Sequence, residues 1–574
     1  MRLINIKAFL EREEVMSKGR QVNRRCKVLE FRDDNTTAYA ILSHRWVEDT
    51  EVDYEEMVGL AKMDVEERDE IRQRLGYRKI WDTCQQAKKD GYEWVWVDTC
   101  CIDKRSSAEL SEAINSMYRW YENSRVCYAY LHDILDPSFP TRSNKDIYPN
   151  SNGWPEWFSR GWTLQEMIAP RDVQFFNKHW GPIGDKPCLA AMLEYITRVP
   201  QRILTHGLTG NRPCVAQIMS WAANRMTTRV EDRAYSLMGL LDVNMPMLYG
   251  EGQKAFHRLQ LEIIRSSNDQ SIFVWDLGGE WTGNILANDP KCFERCSAME
   301  LMNHDEFIGS LKEYIPAEEL PLIQEDCFGT FPITNRGIHI WMLLDRYHSS
   351  DSVFKVVLPC RVRPQAAPIC FDLVLWNSNY YRHYFPNPPP TERNLQFRQV
   401  YLRYQDTFPG ITFEIDDSAV VENGFTCRNM YPLKFEGNTL TVTGTSPFGA
   451  RAYSNDQRDC HFAVAFGQCL DQGWVHVTNY SGELLQFYQQ ESLKSPERAR
   501  CMVEVPSRDD RHGRIWVNYI RLSGWIVRTS RLVWESSRVG VRIDAFRDSG
   551  IDVGLNEWGT LGVEVGFSHR AYVL

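Results

Sequence analysis

The sequence predicts an α/β unit, a parallel sheet flanked by helices with a helical extension, followed by a β-rich, sandwich-like C-terminal domain. Three observations carry this. Short apolar runs alternate with helical periodicity over the first third of the chain, the pattern of strands joined by helical crossovers. From about Cys214 to Ser267 the periodicity is helical throughout. Beyond Trp275 only short runs rich in Val, Ile, Phe, Tyr and Trp recur between turn signals. The expected domains are 1–275, with a sheet core to about 200 and a helical extension over 200–275, and 276–574. A chain of 574 residues also exceeds what one hydrophobic core usually serves.

The elements follow in order. Tyr39 to Ser43 is a short apolar run suited to a strand buried on both faces. An acidic, helix-prone insert runs from Glu48 to Arg74. Tyr77 to Asp90 reads as a helix closed by Gly91, the usual residue for a left-handed cap. Trp94 to Asp98 is a second strand. Ser106-x-x-Glu109 has the spacing of a capping box, and Leu110, Ile114, Met117 and Tyr121 continue an amphipathic helix to about Asn123.

Val126 to Leu131 is a third strand, and a loop rich in Pro, Ser and Asn spans Asp133 to Pro155. In the next segment, read as helical up to Pro170, Trp162 and Glu166 stand at i and i+4 and share a face among apolar neighbours. Asp172 to Phe176 is the fourth strand. The extension then has helices at Val215–Ala222, Glu231–Met238 and Gly252–Ile264, and Ser271–Trp275 reads as a strand that closes the region. The β-rich half has strands at Gly337–Leu344, Val353–Val362, Ile369–Trp376, Thr439–Thr443, His461–Phe466, Gly473–Tyr480, Arg514–Leu522 and Gly524–Trp534, with Pro386–Pro390 as a surface loop.

Composition narrows the function classes. An aromatic content of 12% with 19 Trp argues against disorder. A net charge of -10 without concentrated basic runs points away from nucleic acid. No apolar run is long enough for a membrane span, and the N-terminus lacks the apolar core of a signal peptide, so a cytoplasmic location is expected. The 16 cysteines are dispersed, mostly within apolar runs, and read as buried free thiols. Neither Cys100-Cys101 nor Cys292-x-x-x-Cys296 has a second ligand pair at zinc spacing, so no metal is expected.

Five blocks resemble the fungal heterokaryon-incompatibility (HET) domain family. They are Tyr39–Trp46, Trp96–Lys104, Glu112–Tyr118, Trp157–Pro170, and Thr228–Gly239 running on to Leu248–Gly252. The resemblance covers roughly the first half of the chain. It implies programmed cell death triggered by non-self recognition, and a domain distantly similar to the Toll/interleukin receptor (TIR) fold. TIR domains carry Trp-x-x-x-Glu on the helix after the third strand, where Trp162-Thr-Leu-Gln-Glu166 stands here. In TIR domains that cleave NAD+ this Glu is catalytic, so the resemblance makes Glu166 the candidate catalytic residue and NAD+ a substrate, with no cofactor.

The remaining candidates lie where open parallel sheets bind ligands, beyond the carboxyl ends of strands. Ser43, His44, Arg45 and Trp46 follow the first strand. Arg45 suits a pyrophosphate and Trp46 a base or nicotinamide ring. Asp98, after the second strand, suits a ribose hydroxyl, and Trp162 shares the face of Glu166. Structural roles are the alternatives: an ion pair of Glu166 with Arg160 or Arg171, a packed turn at Ser43–Trp46, and loop capping by Asp98. Arg229, Glu231, Asp232 and Arg233 read as structural ion pairing at a helix start that joins the helical extension to the sheet, with a ligand role as the alternative. At the level of function the alternative to NAD+ cleavage is a non-enzymatic signalling module that triggers death by assembling with partners. The expected partners are a second copy of the chain and a protein recognised as non-self. A third option is a carbohydrate- or protein-binding β-rich half that the first half regulates.

Overall fold

The computed structural model describes the chain apart from residues 19–26, 211, 278–282, 313–328, 330, 349, 384–390, 406–409, 432–434, 444–447, 458, 471, 480–514, 523–524, 536–537, 548–562, 566–570 and 574. The expected Pro386–Pro390 loop lies outside the described residues, as do Tyr480, Arg514 and Gly524 at the ends of expected strands. Contacts divide the chain into two compact units. One comprises Met1–Leu277, Leu286–Leu301 and Val362–Pro364; the other comprises Gly278–Ile285, Met302–Arg361 and Gln365–Leu574.

The first unit is built on a seven-stranded sheet. Its strands are β1 (Arg2–Asn5), β2 (Leu29–Phe31), β3 (Ala40–His44), β4 (Trp94–Trp96), β5 (Val126–Tyr130), β6 (Val173–Phe176) and β7 (Pro182–Asp185), in the order β2-β1-β4-β3-β5-β6-β7. The four central strands are parallel, as the alternation of runs and helices predicts. The edges β1, β2 and β7 are antiparallel additions. These edge strands are too short and too mixed in composition to stand out in the sequence.

Among the parallel strands, the first in the chain lies between the second and the third. This is the doubly wound order, and its direction reverses between β3 and β5. Right-handed crossovers then put helix α1 (Leu75–Lys89) on one face of the sheet. Helices α2 (Ser107–Asn123) and α3 (Thr163–Ile168) fall on the other. The packing agrees: on α2 the Tyr121 hydroxyl donates to the Leu42 carbonyl of β3 at 3.1 Å, and Trp96 of β4 meets Trp120 and Tyr121 edge-on. Gly91, at φ 86°, closes α1 as predicted, with Tyr92 N bonded to the Ala87 carbonyl at 2.9 Å.

Some local expectations are overturned. Ser106 caps α2, accepting from Glu109 N at 3.3 Å, but the return bond of a capping box is not made. Glu109 instead pairs with Arg2 and accepts from Asp103 N at 2.9 Å, because the Arg2 charge outbids a cap amide for the carboxylate. The run Ser271–Trp275 is not a strand. Gln270–Phe273 forms a 3-10 turn, since Asp269 accepts from both Ser271 N and Val215 N and curls the chain beneath helix Val215–Ala222. Glu231–Met238 divides into the short helices Asp232–Tyr235 and Met238–Leu241. The Trp157–Pro170 helix is interrupted: Glu156–Ser159 is a 3-10 turn, and α3 begins only at Thr163.

In the second unit the expected strands form more than a sandwich. Ile338–Tyr347, Val353–Val357, Cys370–Trp376, Asn379–His383 and Thr391–Leu402 close a five-stranded barrel. A five-stranded and a four-stranded sheet then share one core, in which Phe413, Val527 and Val541 meet Phe462, Val464 and Val477. Among the described residues no helix is long and apolar enough to cross a membrane.

Candidate functional site

A cavity of about 310 Å³ opens at the carboxyl ends of β3 and β4, beside the point where the strand order reverses. It is lined by His44, Trp46 and Asp98 from the strand ends, by Ile102, Lys104, Leu110, Ile114 and Met117 from the approach to α2 and its first turns, and by Arg160, Trp162, Thr163 and Glu166 from α3 and its lead-in. Thr228, Arg229, Asp232 and Tyr249 of the extension complete it. Its volume is at the lower end of the range for ligand pockets.

Glu166 is 4% exposed. The Ser43 hydroxyl donates to its Oε2 at 2.5 Å, and the Trp157 indole N–H donates to Ser43 Oγ at 2.8 Å. A hydrogen bond also links Glu166 to the Tyr121 hydroxyl. Burial and the neighbouring Asp98 charge push the Glu166 carboxyl up to about 8, although the bonds from Ser43 and Tyr121 and the charge of Arg160 work the other way. The Tyr121 hydroxyl also lies 3.1 Å from the Leu42 carbonyl, so its one proton is shared between two acceptors.

Asp98 sits in the opposite regime. Burial works against its charge, but the hydrogen bond from His44, the Lys104 charge and the hydrogen bond from Trp46 outweigh it and hold the carboxyl below its ordinary range. Asp98 Oδ1 is 3.0 Å from His44 Nε2, and Oδ2 accepts from Trp46 Nε1 at 2.8 Å. The Lys79 amine, paired with Glu51, donates to His44 Nδ1 at 2.8 Å, which assigns the imidazole proton to Nε2, facing Asp98. Two neighbouring carboxyls are thus displaced in opposite directions, an arrangement suited to acid–base or electrostatic chemistry.

The lead-in to α3 is fixed from the extension. Gly161 N donates to the Met226 carbonyl at 2.9 Å, and Met226 N to the Ser159 carbonyl at 2.6 Å. A Cβ at Gly161 would stand 2.5 Å from Thr227 Cγ2. At the far end the buried Lys186 ammonium bonds the carbonyls of Met167, Ile168 and Pro170, complementing the negative end of the helix.

Of the residues singled out from sequence, the fold brings His44, Trp46, Asp98, Trp162 and Glu166 to the cavity, with Ser43 directly behind Glu166. Arg45 is placed apart from it: its guanidinium pairs with Glu156 and approaches His132. A side chain adjacent to His44 at a strand end points the other way. Among the described residues Asp98 accepts from no loop amide; it ties together His44, which ends β3, and Trp46 just beyond it. Cys100 is buried, and a hydrogen bond with Cys101 together with burial raises its thiol well above the ordinary range, which works against the thiolate form. Among the described residues no cluster of His, Cys, Asp or Glu is placed to hold a metal ion.

Lys104, Thr228 and Tyr249 join the cavity without having been singled out, Arg160 was expected only as a partner for Glu166, and Arg229 and Asp232 line the cavity although ion pairing was the preferred reading of their cluster. The four residues of that cluster separate in function. Arg233 pairs with Asp289, while Glu231 accepts from Gly250 N and Gly252 N and so holds that turn. Arg229 lies over the Tyr249 ring at 4.4 Å, and Asp232 accepts from the Tyr249 hydroxyl at 3.0 Å. A signal existed: both Thr228–Gly239 and Leu248–Gly252 stand among the family-like blocks, and only their meeting in space explains why.

Residues 39–145 match the family model described as heterokaryon incompatibility protein (HET). This stretch of the chain is similar to the HET domain. Over 235 residues it is 43% identical to the vegetative incompatibility protein HET-E-1 of Podospora anserina, a match that covers 39% of this chain and 16% of that protein. Among solved structures, a mutated and a wild-type form of the Xerocomus chrysenteron lectin XCL each overlap 24% of this chain, at 14% identity and TM-scores of 0.19 and 0.18. The overlap takes in 97% and 98% of those lectin chains.

Proposed function

We propose that this protein acts in heterokaryon incompatibility as a cell-death effector, and that its HET domain cleaves NAD+ to nicotinamide and ADP-ribose with Glu166 as the catalytic residue. The HET match and the HET-E-1 relative support the incompatibility role. One observation carries the chemistry: a buried Glu166 with a displaced pKa on the wall of a ligand-sized cavity, at the edge of the sheet where doubly wound folds bind nucleotides.

The bond that breaks joins ribose C1′ to the pyridinium nitrogen. Its electron pair leaves with nicotinamide, which departs neutral, so no general acid is required. The ribosyl cation that remains is stabilised by a carboxylate beside it, as in glycoside hydrolysis. Water then adds to C1′, and its proton passes to Glu166 and on to solvent. The positive charge of bound NAD+ favours the ionised form of Glu166, so substrate binding itself primes the site. Trp46 and Trp162 line the cavity and supply aromatic surface for the rings.

A second reading is supported by the same hydrogen bonds. Glu166 is satisfied by Ser43 and Tyr121, as a purely structural carboxyl would be, in a module that signals by assembly with itself or a non-self partner. Nicotinamide release from NAD+, followed with wild type and Glu166→Gln across protein concentrations, separates the two. Release that depends on Glu166 supports cleavage; no release at any concentration, with killing unaffected by the substitution, supports assembly.

A further inference from the structure

We infer that Lys104, Arg160 and Arg229 form an anion subsite of this cavity, and that its ligand is a phosphorylated nucleotide rather than a bare nucleoside. The inference rests on the reading that the cavity is the ligand site, and not on turnover.

The three cations share one property. Among the described residues none of them lies within ion-pair distance of a carboxylate, and each is positioned by a contact with a ring or a hydroxyl that leaves N–H donors for a ligand. The Lys104 ammonium stands 3.7 Å from the centroid of the Trp46 ring, and the Arg229 guanidinium 4.4 Å from that of Tyr249. Arg160 Nη2 donates to Thr228 Oγ1 at 3.2 Å. A cation resting on a ring face keeps its N–H donors for another partner.

Their neighbours are treated differently. Arg45 is paired with Glu156 and Arg233 with Asp289. The carboxylates that could have neutralised the three are already engaged: Asp98 by His44 and Trp46, Asp232 by Tyr249 and Trp162. Like charges gathered around a cleft with low-dielectric walls focus the field and draw in an anion. Those walls are Ile102, Leu110, Ile114 and Met117, which suit a flat ring and offer no hydrogen bonds. A ligand that matches both halves carries a planar ring and, one sugar away, phosphate oxygens that take arginine in two-pronged fashion.

The test is calorimetric titration of the full chain with ADP-ribose, inorganic pyrophosphate and nicotinamide riboside. Lys104 and Arg229 are exposed, so Lys104→Ala and Arg229→Ala leave the core intact. ADP-ribose is expected to bind, more weakly as salt rises, and each substitution to weaken it about tenfold, the usual loss of one charge-assisted hydrogen bond. Pyrophosphate should compete with ADP-ribose, and nicotinamide riboside should bind more weakly and be indifferent to both substitutions. No binding of ADP-ribose, equal affinity for it and for nicotinamide riboside, or variants that bind it like wild type, would overturn the subsite. The two readings fail separately. Binding of ADP-ribose through these cations without nicotinamide release sinks cleavage alone, whereas release with an unchanged KM in both variants sinks the subsite alone.

Discussion

Ser43, the penultimate residue of the first parallel strand, donates its hydroxyl to Glu166 at 2.5 Å across 123 residues of chain. The bond fixes one carboxylate oxygen against the end of β3 and leaves the group beside Asp98, whose charge opposes its ionisation. The behaviour expected of the site follows from these three side chains.

Glu166→Gln keeps size and hydrogen bonding but removes the charge. Nicotinamide release is expected to fall by about 10²- to 10³-fold, as for loss of one preorganised transition-state stabiliser. Steady-state kinetics on NAD+ check this, and a variant as active as wild type rules Glu166 out as the catalytic carboxylate.

The pH dependence follows from the carboxyl near 8. The proposed cleavage needs the ionised form, so kcat/KM should rise with pH and reach half its plateau near pH 8 in the free protein, while kcat, reporting the complex in which the substrate's pyridinium charge lies beside Glu166, should do so at lower pH. A rate profile that is flat from about pH 6 to about pH 9 would contradict it.

Stability should run in the opposite sense. Because the folded state holds the Glu166 proton more tightly than the unfolded chain, this contribution is fully present below the ordinary glutamate value of 4.5 and is lost as pH rises through about 8. The difference is on the order of 3–5 kcal/mol, and Glu166→Gln should be free of it. Denaturant titrations of both proteins at several pH values measure the gap, which must widen with pH in favour of the variant.

Ser43→Ala and Asp98→Asn should move the kinetic pKa in opposite directions. The Ser43 bond favours the carboxylate, so its loss raises the pKa above that of wild type; it also leaves the Trp157 N–H without its acceptor, at a cost of about 1–3 kcal/mol. Asp98 opposes the carboxylate, so Asp98→Asn lowers the pKa, with its larger effect on KM than on kcat if Asp98 holds a ribose hydroxyl before and during reaction. Shifts of the same sign in the two variants would remove this account of the electrostatics.

Gly161→Ala places a methyl 2.5 Å from Thr227 Cγ2, where the lead-in to α3 crosses the 226–228 segment. The expected cost is about 1–3 kcal/mol of stability, with loss of activity because Arg160 and Trp162 flank the shifted turn. Thr227→Ser, which removes the offending methyl, should restore both in the double variant; failure to do so would show that the turn is not held by this contact.

What the sequence by itself determined is local. Tyr39–Ser43 and Val126–Leu131 read as buried strands from unbroken apolar runs, and Ser107–Asn123 as a helix from the spacing of Leu110, Ile114, Met117 and Tyr121, because such periods report which face each residue presents within one element. The Trp162–Glu166 pair and the residues after β3 were legible for the same reason. Tertiary structure alone decided the rest. It turned Arg45 toward Glu156, brought Arg229, Asp232 and Tyr249 back to the cavity through the Met226–Ser159 pairing, and curled Gln270–Phe273 into a 3-10 turn despite its strand-like composition. It also separated a closed barrel from the sandwich, since the same alternating strands serve either closure. Above all it set the state of Glu166: a carboxyl's affinity for its proton depends on the water it has lost and the charges around it, and those are properties of the folded surroundings that no pattern within a single segment encodes.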